Sequence, residues 1–189
     1  MKKIALLLLG GMLILTGCGS SAKFSLQDMC IKKQGGEEKI CYGMSRIEAE
    51  RVAGEGFGGP NSFEYDNGLT IKYRDNKVSY VYLAGETQNY YELYPTGIKV
   101  GDPIDKFKDY YGDKATHLDK TEKDIIKEID YIYDVRKGSV LGSNDTLGLD
   151  EDANKAHHEE YIRYRALSNL QGNITHLWFG DYIAFRASY

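Results

Sequence analysis

The chain has 189 residues, 42% hydrophobic and 28% charged, with 24 Lys and Arg against 28 Asp and Glu for a formal net charge of −4. That balance excludes a disordered chain, and with no basic tract it argues against a nucleic-acid partner. A single long apolar run excludes a polytopic membrane protein, 3 Cys are too few to frame a disulfide-stapled miniprotein, and the compositional outlier is tyrosine, 16 Tyr against 6 Phe and 1 Trp.

At the N-terminus, Lys2 and Lys3 precede Ile4 to Leu15, an apolar run of 12 residues broken only by Gly10 and Gly11. A bilayer-spanning helix needs about 20 residues, so residues 1–17 read as a signal peptide. Leu15-Thr16-Gly17-Cys18 resembles the lipobox of bacterial lipoproteins. That resemblance implies cleavage before Cys18, a diacylglyceryl thioether with palmitate-type chains on its sulfur, and attachment to the extracytoplasmic face of a cell-envelope membrane. Two or more acyl chains anchor stably where one is marginal. Residues 18–24 are then the lipidated Cys and a small-residue tether, and losing Lys2 and Lys3 takes the charge from −4 to −6.

Ser25 with Asp28 can cap a short helix carrying Leu26, Met29 and Cys30; the competing reading is a hairpin across Gly35-Gly36. Cys30 and Cys41, outside the cytoplasm, are free to form a disulfide or to stay as two inert buried thiols. An internal repeat follows. Gly43-Met44-Ser45-Arg46-Ile47-Glu48 leads to Gly54, and Gly101-Asp102-Pro103-Ile104-Asp105-Lys106 leads to Gly112, the same glycine spacing at an offset of 58. Ser45 and Glu48 form a capping box. Asp102 can cap, Pro103 suits the first helical position, and Asp105 favours the positive helix end. Gly54 and Gly112 stop the helices. Asn89 with Glu92 can cap a further helix over Tyr90 to Tyr94, ended by Pro95.

Strands are expected over Leu69 to Arg74 and Lys77 to Leu83, around an Asp75-Asn76 turn. Further strands are expected over 128–135, Tyr161 to Leu167, Ile174 to Phe179 and Tyr182 to Ala187, with Gly138 to Lys155 as a polar, acidic loop. Residues 25–88 and 89–189 then form two helix-loop-helix plus antiparallel-strand units. The fold class is α+β, with the units sharing one sheet and the helices on one face.

Gly43-Met44-Ser45 with Glu48 and Gly54, the second copy from Gly101, and Thr175-His176-Leu177-Trp178-Phe179 resemble the tandem fold of the beta-lactamase inhibitory protein. The same unit occurs singly in outer-membrane lipoproteins of the SmpA/OmlA type. Asp102-Pro103 departs from the Met-Ser/Thr of that pattern. The resemblance implies helices over one sheet face and a concave face left for another protein.

Side chains alternate along a strand. Leu69, Ile71 and Tyr73; Val81 and Leu83; Ile162, Tyr164 and Ala166; and Leu177 and Phe179 fall on the faces expected to meet the helices. The other face collects Lys72, Arg74, Tyr80, Tyr82, Tyr161, Arg163, Arg165, His176 and Trp178, with Tyr182 and Arg186 beyond. Tyr, Trp and Arg dominate protein interfaces, so this face is the candidate protein-binding site, and its arginines suggest an acidic partner. A solvated face of strand-favouring residues is the plain alternative. A small molecule or glycan stacked on Trp178 and Tyr82 is the competing functional reading.

Catalytic and cofactor motifs are weak. Gly54-Glu55-Gly56-Phe57-Gly58-Gly59 fits G-x-G-x-x-G but follows a helix where a dinucleotide site needs a strand, so it reads as a loop. No nucleophile or acid–base set converges, and no catalytic residue is assigned. His157, His158, Glu159 and Glu160 supply too few ligands for a metal centre, and His117 sits among surface charges. No cofactor is expected, save for Ca²⁺ on the oxygens of Asn144, Asp145, Asp150, Glu151 and Asp152, which miss the EF-hand spacing.

Overall fold

The computed structural model describes residues 26–85, 90–115, 127–142, 160–181 and 184. The signal peptide, Cys18, the tether, His117, the oxygen-rich 144–152 loop, His157 to Glu159, Tyr182 and Arg186 lie outside the described residues.

The chain is mixed α/β, with two α-helices and mostly antiparallel strands. Its first described element is a turn of 3-10 helix at Leu26–Asp28, leading into β1 (Cys30–Lys33) and β2 (Lys39–Cys41). The hairpin across Gly35-Gly36 is thus what forms here, and the helix over Leu26, Met29 and Cys30 is not. Ile31 pairs across to Ile40 on one side and to Leu93 on the other, and all three are essentially inaccessible. Burying that apolar row outweighs the local capping signal at Ser25 and Asp28. Cys30 and Cys41 are directly opposed and disulfide-bonded.

Helix α1 (Arg46–Ala53) starts where the sequence places it. Ser45 Oγ accepts the Glu48 amide, the Glu48 carboxylate accepts the Ser45 amide, and Gly54 ends the helix at φ 101°. The short strands β3 (Phe57–Gly58) and β4 (Ser62–Tyr65) follow; β3 falls inside the Gly54 to Gly59 stretch expected to be a loop, and no element was expected over β4. β5 (Leu69–Arg74) and β6 (Lys77–Leu83) match their expected bounds. The turn between them holds Asp75 at φ 50° and Asn76 at φ 59°. Both residues tolerate the left-handed region, and the turn twist matches the strands it joins.

Tyr91–Tyr94 is strand β7, not a helix. It pairs with β1 along its whole length, so a distant strand decides its conformation over the local Asn89/Glu92 signal. Helix α2 (Ile104–Tyr111) follows Pro103 directly and has no side-chain cap. Asp102 instead accepts the Lys99 amide at 3.1 Å and pairs with Lys106 at 2.8 Å. β8 (Lys127–Asp134), β9 (Ser139–Val140), β10 (Tyr161–Ser168) and β11 (Ile174–Asp181) complete the described strands. β9 falls inside the stretch expected to be loop, recruited by pairing with Tyr133 and Asp134.

The strands form a three-stranded sheet, β2-β1-β7, and an eight-stranded one, β3-β4-β5-β6-β11-β10-β8-β9. One continuous core contains Ala49 and Val52 of α1, Ile104, Phe107 and Tyr111 of α2, and the expected inward rows Leu69/Ile71/Tyr73, Val81/Leu83, Ile162/Tyr164/Ala166 and Leu177/Phe179. Much of the tyrosine excess is spent here. Tyr111, Tyr131 and Tyr164 pack around Phe107 with ring centroids 4.8–6.1 Å away. Two of these hydroxyls reach backbone acceptors: Tyr131 donates to Gly112 O at 2.5 Å, just past the end of α2, and Tyr164 to Asp28 O at 2.7 Å.

Candidate functional site

Antiparallel register sets what meets on the face of the large sheet turned away from this core. Tyr82 lies opposite both Thr70 and Trp178, Trp178 opposite Arg165, and Arg165 opposite Asp130. These pairings run one transverse row across β5, β6, β11, β10 and β8. The next row holds Lys72, Tyr80, Gly180, Arg163 and Ile132. The Gly180 Cα faces Tyr80 so closely that a Cβ there would stand 2.6 Å from Ser79 O. The missing side chain leaves the Tyr80 ring its place.

The site residues therefore share one sheet face, but they are not equally accessible. Trp178, Tyr80 and Arg165 are 8%, 6% and 7% exposed; the expectation of a solvent-facing Trp178 is corrected. Trp178 and Tyr80 pack with Ala184, and against these lie the partly buried Tyr82 and Leu167, a small aromatic cluster separate from the main core. What faces outward is the half-buried set Tyr82, His176, Leu167, Tyr161, Arg163, Lys72 and Arg74. Tyr82 stacks on His176 (centroids 5.7 Å, 22° between planes) and meets Trp178 edge-on at 5.8 Å. Arg165 stands 5.4 Å from the Trp178 ring centre, and Lys72 5.1 Å from that of Tyr80. Tyr161 sits apart, against Ile132 and Leu141.

Burial sets the titration behaviour of the outward groups. Desolvation pushes the Tyr82 phenol up and holds the Lys72 ammonium and the His176 imidazole below their ordinary values. His176 Nδ1 lies 2.9 Å from Thr175 Oγ1. Burial thus favours the neutral form of the ring.

The arginines do not form an unbalanced positive field. Arg163 Nε donates to Asp130 Oδ2 at 2.6 Å, Arg165 Nη2 to the same oxygen at 3.1 Å, and Arg165 Nε lies 3.0 Å from Glu128 Oε1. Arg74 forks onto the fully buried Asp181 at 3.0 and 2.7 Å. Of the described residues on this face, Arg74, Arg163 and Arg165 each already carry a carboxylate, so their number alone does not point to an acidic partner. The sequence reading missed Glu128, Asp130, Asp181 and Leu167. The alternation Glu128-x-Asp130 was the available signal, because the pairing of β8 with β10 places these acids on the Arg163/Arg165 face.

Among the described residues no group of three or more His, Cys, Asp or Glu gathers as metal ligands, and no helix is long and apolar enough to cross a membrane. No family model matches the chain, and neither a curated protein nor a solved structure is found to match it.

Proposed function

We propose that this is a lipid-anchored, non-enzymatic protein of the bacterial cell envelope that binds another protein through the sheet face centred on Tyr82 and His176, as an inhibitor or an assembly factor. The observation that carries the reading is the second aromatic cluster. Tyr82 and His176 are held at the surface by a buried Trp178 and Tyr80 on a rigid antiparallel sheet. Pre-ordered aromatic side chains present large contact area with little entropy left to lose on binding. Neutralised arginines at the margin fit a partner selected by shape and aromatic contact more than by charge.

We also read the chain as two related units with helices over one sheet face: α1 followed by β4-β5-β6, and α2 followed by β8, β10 and β11, joined where β6 pairs with β11. The shared Gly-to-Gly helix frames and the central β6–β11 pairing support this. Each unit carries one α-helix within the described residues, not the two that the sequence suggested.

The docking test is affinity capture from detergent-solubilised envelope, comparing the wild-type chain with Tyr82→Ala/His176→Ala. Trp178 is left intact because its burial makes it a folding residue. A partner held by wild type and weakened by more than about 2 kcal/mol in the variant is expected; equal capture by both refutes the site. Retention of a glycan fraction in place of a protein would favour the small-ligand reading. The anchor is tested by metabolic fatty-acid labelling: label on wild type and none on Cys18→Ala is expected, and label retained by Cys18→Ala would refute it.

A further inference from the structure

β6 carries one residue more than β5 opposite it. Lys72 pairs with Tyr80 and Tyr73 with Val78, so Ser79 is a bulge. Such an extra residue bends a strand, and bulges recur beside binding sites. Here the bend opens a cavity of about 230 Å³ lined by Tyr42, Gly43, Arg74, Asp75, Lys77 and Ser79, with Val78 behind. That is far more than one water, whose share of the liquid is about 30 Å³.

The cavity has a cationic wall. Arg74 and Lys77 are opposite each other across the β5–β6 turn and both line the cavity. Arg74 is held rigidly: both Nη atoms donate to Asp181, which is fully buried and also accepts the Ala184 amide at 3.0 Å. The pairing neutralises one guanidinium edge and fixes its plane while the side chain stays 33% exposed. Lys77 is exposed, and no ion pair involves it among the described residues. Asp75 is the one carboxylate on the lining and is itself exposed. The two hydroxyls on the lining direct their protons within the protein, Ser79 Oγ donating to Lys72 O at 3.1 Å and Tyr42 Oη to Asp181 Oδ2 at 3.4 Å, so the cationic side chains are what an anion would meet.

We infer that this bulge cavity binds a phosphate-type oxyanion between Arg74 and Lys77, with Asp181 as a positioning residue for the guanidinium. Lys77, exposed and in no ion pair among the described residues, supplies the charge an anion pairs with, and the guanidinium whose plane Asp181 fixes suits a tetrahedral oxyanion. The inference is independent of the docking reading: the cavity lies at the turn end of the β5–β6 hairpin, and Tyr82 and His176 do not line it.

The test follows backbone amide resonances of the full detergent-solubilised chain during titration with inorganic phosphate, with sodium chloride at matched ionic strength as control. Saturable shifts at Gly43, Asp75, Lys77 and Ser79 in the millimolar range are expected. Lys77→Gln, an exposed change that leaves the Arg74–Asp181 pair intact, should weaken binding about tenfold with the rest of the spectrum unmoved. Arg74→Lys, which keeps the charge and loses the fork, should weaken it as well. Micelles doped with phosphatidylglycerol separate the sources: shifts with doped micelles alone assign the oxyanion to a lipid headgroup, and shifts with free phosphate assign it to a soluble one. The proposal is overturned if neither probe moves these resonances beyond the chloride control, or if Lys77→Gln binds like wild type.

Discussion

Tyr82 and Trp178 face each other across two strands, yet their substitutions separate into different effects. Trp178→Ala opens a hole beneath Tyr80 and Ala184 and should cost about 3–5 kcal/mol of stability. Tyr82, half-buried at the surface, can be truncated at lower structural cost, and this asymmetry makes it the better probe of docking. His176 gives a pH signature. Desolvation places its folded pKa below the ordinary 6.5, so between those two values the unfolded chain binds a proton that the folded one does not. Stability is therefore unaffected above the unfolded pKa and falls as pH drops through it. Urea midpoints at about pH 7.5 and about pH 5.5 should show a larger acid loss for wild type than for His176→Gln; equal losses would place the titrating group elsewhere. Strand alternation was enough to gather Tyr80, Tyr82, His176 and Trp178 on one face. It could not rank their exposure, because what buries Trp178 comes from beyond its own strand: Tyr80 on β6, and Ala184 after β11.

Among the elements, α1 and the β5–β6 hairpin were legible because local and tertiary signals agree there. The capping box, the stopping Gly54, the alternating burial of Leu69 to Arg74 and the left-handed Asp75-Asn76 turn all point the same way. Ser45→Ala should cost about 1 kcal/mol, read from the denaturant midpoint. Glu48 is held below its ordinary pKa chiefly by the Ser45 hydroxyl, so this contribution is present at neutral pH and fades as the pH falls. β1, β2 and β7 were illegible for the opposite reason. Their capping-like residues are local, while the contacts that decide them run between Ile31, Ile40 and Leu93. Gly180 makes an element-level prediction of its own. Gly180→Ala would set a Cβ 2.6 Å from Ser79 O and 2.9 Å from Tyr80 Cα, both backbone atoms that cannot step aside. A loss of about 1–3 kcal/mol is expected in urea unfolding, and an unchanged midpoint would mean the β6–β11 pair can spread there at no cost.

For the molecule as a whole, the Cys30–Cys41 bond ties β2 to β1, and β1 carries β7 on its other side. It closes a short loop, so reduction should lower stability by about 2–4 kcal/mol without abolishing the larger sheet. Thermal unfolding with and without reductant measures this, and the Cys30→Ala/Cys41→Ala variant should match the reduced protein. A spacing repeat in the sequence suggests two tandem units, but nothing in it suggests the sheet order. Which strand lies beside which depends on distant pairings such as Tyr82 with Trp178, and no local pattern encodes them.

That order bears on how the chain is made. β11, last in sequence of the described strands, lies between β6 and β10 in the middle of the large sheet. A polypeptide emerging N-terminus first, from a ribosome or a translocation pore, has the outer strands in hand long before the central one arrives. Until Asp181 is clear, β6 and β10 each present an unpaired edge, the kind of surface on which chains join one another by mistake. Nascent chains halted before Ile174 should therefore be protease-sensitive and adhesive, whereas those released past Asp181 acquire protection in one late step. Assembly so dominated by distant pairings is slow, which leaves a long interval in which a holding chaperone would decide the yield.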